Sequence, residues 1–109
     1  MAITYKNARA ALTTSYATVY TCPAATTAIV LMAQAANVDG VVSADVSVQW
    51  LDSSAADVAT RLCEGLAVPA DSVYAVLSGP VVLEAGDAFQ AKASAAGDIE
   101  LTLAISEIV

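Results

Sequence analysis

The chain contains no histidine, and that one absence removes several chemistries together. A serine or cysteine nucleophile is most often activated by an imidazole, and zinc sites draw on histidine and cysteine. Cys22 and Cys63 stand alone rather than in a C-x-x-C pair, so dithiol and zinc chemistry lack their usual ligands. Bases are scarce as well: four Lys and Arg against eleven Asp and Glu leave a formal charge of −7. Nucleic acid and anionic membrane surfaces both require Lys and Arg to neutralise their phosphates, so neither is an expected partner. Charged residues of either sign make up only 14 % of the chain, against about 25 % in ordinary soluble domains. Such a surface suits a protein that covers much of itself in an assembly.

Long apolar runs are also missing. The longest, "AIVLMA" at 28–33, is strand-sized and far short of the roughly 18 residues a membrane-spanning helix needs. The opening "MAITYKNARA" has no apolar core of a signal peptide, so the expectation is synthesis in a cytoplasm and two reduced, packed thiols. Neither G-x-x-x-x-G-K-[ST] nor G-x-G-x-x-G occurs, so no phosphate cradle is present in the sequence.

What remains is a chain of 109 residues, the size of one domain, in which 25 residues are alanine. Its periodicity is that of short strands. Ile99, Leu101, Leu103 and Ile105 alternate with Glu100, Thr102, Ala104 and Ser106, a period of two with one wet face. In "SADVSVQWLD" Ala44, Val46, Val48 and Trp50 oppose Asp45, Ser47 and Gln49, and "DAFQAKASA" sets Phe89, Ala91 and Ala93 against Gln90, Lys92 and Ser94. Further strands are predicted near 6–12, 17–21, 26–36, 57–67, 72–77 and 80–84.

Turns rich in Gly, Pro and Asp separate them, at 37–40, 69–71, 78–80, 85–87 and 96–98. Eight or nine short antiparallel strands at this spacing predict an all-β fold, a single β-sandwich of jelly-roll type over residues 1–109, with 1–12 as an N-terminal arm or edge strand. A helix over "SSAADVATRLCEGL", capped by Ser54, is the competing reading there; a strand is preferred because Gly65 weakens a helix end. "CPAATTAIVL" and "VPADSVYAVL" share Pro, Ala, Val and Leu at matching places, an echo in keeping with two Greek keys.

Carboxylates are the remaining candidates for chemistry. Glu84, Asp87, Asp98 and Glu100 crowd the last third, with Asp39, Asp52 and Asp57 earlier. No D-x-D-x-D-G run is present, and most of these Asp residues fall in predicted turns, where the side chain bonds its own backbone. No cofactor, metal or catalytic residue is therefore assigned, and the chain is not expected to be an enzyme. Trp50 with Tyr5, Tyr16, Tyr20 and Tyr74 could form a sugar-stacking platform, but Trp50 lies on the apolar side of its strand, which favours the core. Tyr16 and Tyr20 are predicted to share one face of "SYATVY". Charge is distributed unevenly: no acid precedes Asp39, while Lys6 and Arg9 sit in the first ten residues. A weakly basic first strand on an acidic body is suited to pairing with a neighbouring copy or an acidic protein.

The succession "YKNARAALTTSYATVYTCPAATTAIVLMAQAANVDG", then "SADVSVQWLD", then "GPVVLEAGDAFQAKASAAGDIELTLAISEI" resembles small, acidic, all-β structural proteins of tailed bacteriophages, most clearly at "YTCPA" and "LEAGD". The resemblance implies a virion component, in first place a capsid decoration or cement protein. Such a protein would bind the major capsid protein of an assembled head as a homotrimer and stabilise the shell on the capsid surface. The alternatives it leaves are a tail, neck or head-fibre component, or a module recognising host-surface carbohydrate. The residues expected to touch partners are Tyr5, Lys6, Arg9 and Tyr16.

Overall fold

The computed structural model describes residues 1–109. Nine strands follow in order: β1 (Ile3–Ala11), β2 (Ala17–Thr21), β3 (Thr27–Asn37), β4 (Ala44–Asp52), β5 (Val58–Val68), β6 (Val73–Ala75), β7 (Val81–Leu83), β8 (Ala88–Ala93) and β9 (Ile99–Ile108). They form two antiparallel sheets. One runs β1-β9-β3-β6, with β7 also on β3; the other runs β2-β8-β4-β5.

The pairs β1–β9, β2–β8, β3–β6/β7 and β4–β5 are the rungs of one long hairpin rolled over on itself. The contacts β3–β9 and β4–β8 close that roll into two sheets. This is the jelly-roll order, and it confirms the all-β sandwich expected from the sequence. The strand replacing the competing helix is β5. A single 3-10 turn, Ser53–Ala55, precedes it, and the cap is Asp52, whose side chain accepts from the Ser54 amide.

Alternation builds the core. Ile99, Leu101, Leu103 and Ile105 all point between the sheets and meet Phe89, Val46, Val48, Val30 and Leu83. Small residues complete it: Ala28, Ala33, Ala35, Ala44, Ala91 and Ala93 are buried too. Removing a fully buried ring such as Phe89 would cost about 3–5 kcal/mol, from lost transfer energy plus the cavity left behind.

Two sequence readings need correction. The side of β4 expected to be wet is largely covered, with Ser47 and Gln49 each only 6 % exposed. Tyr16 and Tyr20 do not share a face. A β-bulge falls between Thr18 and Tyr20, and one extra residue flips every later side chain. Thr18 therefore faces out beside Gln90, while Tyr20 faces in beside Phe89.

Candidate interaction surfaces

The four residues expected to touch partners do not form one patch. In β1, alternate residues face alternate sides. Ala8 and Ala10 pack on the core, and Lys6 lies opposite the inward Ile105. Lys6 thus turns towards the interior edge and pairs with Glu107 at 3.0 Å. The Tyr20 hydroxyl donates to the other oxygen of the same carboxylate, so the trio closes the gap between β1 and β2. The hydrogen bond from Tyr20 and the Lys6 ammonium together hold the Glu107 carboxyl below its ordinary range. Burial, reinforced by the bond to Glu107, pushes the Tyr20 hydroxyl well above its usual value.

Ile3, Tyr5, Asn7 and Arg9 face outward from the five-stranded sheet. Tyr5 is 74 % exposed and Ile3 is 52 % exposed. Beside them in the same face stand Thr102, Ala104 and Ser106 of β9, then Ile29, Met32 and Gln34 of β3. A bulge between Val30 and Met32 leaves Leu31 exposed next to Met32. Val73 and Val82, partners of Ala36 and Ile29, complete the face at its far edge. Among these outward positions Arg9 and Glu100 alone carry charge. The face mixes exposed apolar side chains with uncharged polar ones and is nearly neutral, on a chain of formal charge −7.

Tyr16 belongs to the other sheet. Its ring lies between Lys92, with Nζ 4.9 Å from the ring centroid, and Arg61, 5.3 Å away. Both are cation–π distances. Under this cover runs a row of hydrogen bonds that crosses all four strands. Arg61 Nη1 donates to Gln49 Oε1 (2.6 Å), Gln49 Nε2 to Gln90 Oε1 (2.7 Å), and Gln90 Nε2 to Thr18 Oγ1 (3.1 Å). Arg61 Nε also donates to Glu64. The row and its aromatic lid account for the burial of Gln49. The sequence carried only a faint sign of it, in polar residues alternating along β4 and β8.

The acidic residues separate as well. Glu84 and Asp87 lie before β8, whereas Asp98 and Glu100 lie beyond it at the other end of the strand. Asp52 joins Glu84 and Asp87, their oxygens all within 4.8 Å of one another. Asp87 is buried, and its two oxygens accept from the Ser53 amide and hydroxyl and from the Glu84 amide. The carboxylate thereby brackets two turns. Cys22 and Cys63 are unpaired, and burial pushes both thiols up. A nucleophile needs the opposite shift. Trp50 packs against the core.

No family model matches this chain, and no curated protein matches it. Solved structures do share its shape. A chain from the acidic stable capsid structure of Helicobacter pylori bacteriophage KHP30 superposes with a TM-score of 0.63 at 11 % identity, covering 100 % of this chain and 89 % of that one. A chain from the disulfide-linked pili of Bacillus endospore appendages superposes with a TM-score of 0.56 at 10 % identity, covering 97 % and 84 %. At such identities the likeness is one of fold. The jelly roll seen here is thus also the fold of a phage capsid chain and of a pilus chain.

Proposed function

We propose that this protein is a structural component of a virion: a capsid decoration protein that lies on the assembled head shell and bridges its subunits. The observation that carries this reading is the outer face of the five-stranded sheet. It exposes Ile3, Tyr5, Leu31, Met32, Val73 and Val82 with almost no charge among them. An exposed apolar patch on an otherwise soluble domain marks an interaction site. On a strongly acidic body, this is also the face on which contact meets least repulsion. The fold likeness to a capsid chain supports the same reading. Contacts available only on the assembled shell would stabilise it by mass action.

A non-enzymatic role fits the side-chain inventory: the thiols are shifted away from reactivity and the best-placed carboxylate is occupied by backbone donors. The reading through Trp50 as a sugar platform is the weaker one, because that partly buried ring packs against the core.

Co-sedimentation with capsids that lack the protein tests the proposal. Saturable binding at a ratio matching the shell's symmetry sites is the expected result, and Leu31→Asp should weaken it at least tenfold without unfolding the domain. Absence of binding to mature capsids would refute it.

A further inference from the structure

A sandwich has four sheet edges, and in this protein three of them are interrupted. β2 carries a bulge, and the β4–β5 ladder shifts register twice and includes Gly65 at φ +63°. The far edge of the five-stranded sheet is split into β6 and β7, three residues each, around Gly79 and Pro80. Bulges, breaks and short strands are the ordinary means of preventing edge-to-edge pairing. β1 has none of these three, and its inward-turned Lys6, a charge of the kind that can also guard an edge, is paired with Glu107 within the same sheet. Its nine residues stay in one unbroken register with β9.

The free backbone groups of β1 follow from that register. Ala2 and Val109 exchange both hydrogen bonds, and the Leu12 amide donates to the Ile99 carbonyl. Antiparallel ladders alternate bonded and non-bonded pairs, so even-numbered residues bond to β9. The amides and carbonyls of Ile3, Tyr5, Asn7, Arg9 and Ala11 therefore point away from the sheet into open space.

We infer that the β1 edge pairs with β1 of a second copy, antiparallel and about a two-fold axis through Asn7. Pairing the whole of Ile3–Ala11 with itself fixes Asn7 at the centre. Ile3 then faces Ala11 of the second copy, Tyr5 faces Arg9, and Asn7 faces Asn7. All five open residues meet open residues, giving about ten backbone hydrogen bonds. Side chains agree with the backbone: each Arg9 guanidinium sits beside a Tyr5 ring of the other copy, and each Lys6 lies opposite Ala8. Moving the register two residues either way shortens the ladder, and a shift towards the N-terminus places Lys6 against Lys6. Like charges directly opposite one another are destabilising.

The axis stands perpendicular to the five-stranded sheet, so the apolar faces of both copies look the same way. The pair presents one continuous surface, in which a second contact with a symmetric partner becomes intramolecular. The three-fold arrangement implied by the phage resemblance would instead need β1 to pair with a different edge, and the other edges are broken.

The test is the oligomeric state of the full chain, with engineered cysteines to read the register. Light scattering after size exclusion should give twice the chain mass of 11.0 kDa. Asn7→Cys should form a covalent dimer on mild oxidation in a Cys63→Ser background. Bonded antiparallel Cα atoms stand about 5.5 Å apart, inside the disulfide range. Thr4→Cys, opposite Ala10, should not cross-link. Asn7→Lys, on an exposed strand, should leave the fold intact and give a monomer. A monomeric or trimeric wild type, or equal cross-linking by Thr4→Cys, would overturn the two-fold pairing. Capsid binding is read separately: a dimer that ignores capsids refutes the decoration role alone, and a monomer that binds them refutes the dimer alone.

Discussion

Asp87 offers the sharpest test of what holds the two sheets in place. It is 1 % exposed and sits in the turn between β7 of one sheet and β8 of the other. One oxygen accepts from the Ser53 amide at 3.0 Å and the Ser53 hydroxyl at 3.1 Å; the other accepts from the Glu84 amide at 2.9 Å. Ser53 Oγ donates also to the Ala85 carbonyl, and the Asp87 carbonyl accepts from the Cys22 amide. The carboxylate therefore joins the β4–β5 connection to the β7–β8 turn, while the backbone carbonyl of the same residue ties in the end of β2. Asp87→Ala strips the acceptor from two backbone amides, and leaving such a group unmade costs about 1–3 kcal/mol. Ser53 and Glu84 are themselves exposed, so water reaches part of the gap, and the lower half of that range applies to each. The expected loss is about 2–4 kcal/mol, a large share of the 5–15 kcal/mol that stabilises an ordinary domain.

Urea unfolding followed by circular dichroism would measure this. At a slope of about 1–3 kcal/mol/M the midpoint should fall by roughly 0.7–4 M with the slope unchanged. Asp87→Asn keeps the shape but turns one acceptor into a donor facing a donor, so it should fall between wild type and Asp87→Ala. Ser53→Ala combined with Asp87→Ala should cost less than the sum of the two, because they share partners. A loss below about 0.5 kcal/mol for Asp87→Ala would show that water replaces the carboxylate and that the bracket does not hold the turns.

Three other outcomes follow from the side-chain geometry. The folded Glu107 carboxyl titrates below its ordinary value of 4.5, so its contribution is present above that value and is lost as pH falls through the lowered one; Glu107→Gln should flatten the acid limb of a stability–pH curve, measured by thermal unfolding between pH 2 and 6. The Tyr16 hydroxyl is buried without a partner, so Tyr16→Phe should leave urea stability unchanged or raise it by up to about 1 kcal/mol, whereas Tyr16→Ala, which uncovers Gln49 and removes both cation–π contacts, should lower it by about 1–3 kcal/mol. Cys22 is buried and its thiol donates to the Thr26 carbonyl, so a thiol reagent at pH 8 should react with it only as fast as the domain opens, and more slowly than with half-buried Cys63.

The fold was legible in the sequence wherever burial is decided by a strand's own alternation. Ile99 to Ile105 and Ala44 to Val48 place their apolar residues on one side, and the core is built from those sides. Legibility failed where a distant partner decides the outcome. Lys6 reads as a free surface cation, yet Glu107 on the neighbouring strand draws it to the interior edge. Gln49 reads as solvent-facing, but Arg61 from β5 bonds to it and is itself stacked against Tyr16, the residue before β2. The bulge that separates Tyr16 from Tyr20 depends on how β2 matches β8, and no residue in "SYATVY" announces it. The outer face of the five-stranded sheet was hidden for a further reason. Its apolar members come from four segments far apart in sequence, and each looks like an isolated surface residue until β1, β3, β6 and β7 are set beside one another.

The two sheets differ in what they leave open to a partner. The four-stranded sheet satisfies its outward polar groups internally, through a hydrogen-bonded row under an aromatic lid, and its edges are bulged. A partner docking there would have to break bonds already made, which costs more than it returns. The five-stranded sheet makes no such row, exposes its apolar side chains and ends in a straight, unbroken strand. Both contacts inferred above fall on this sheet, one on its face and one on its edge, and nine of the eleven acids lie outside its strand β9, which carries Glu100 and Glu107. On the proposed reading, like charge repels other encounters between copies and leaves these two open, so that few charged residues suffice to favour one mode of contact over the rest.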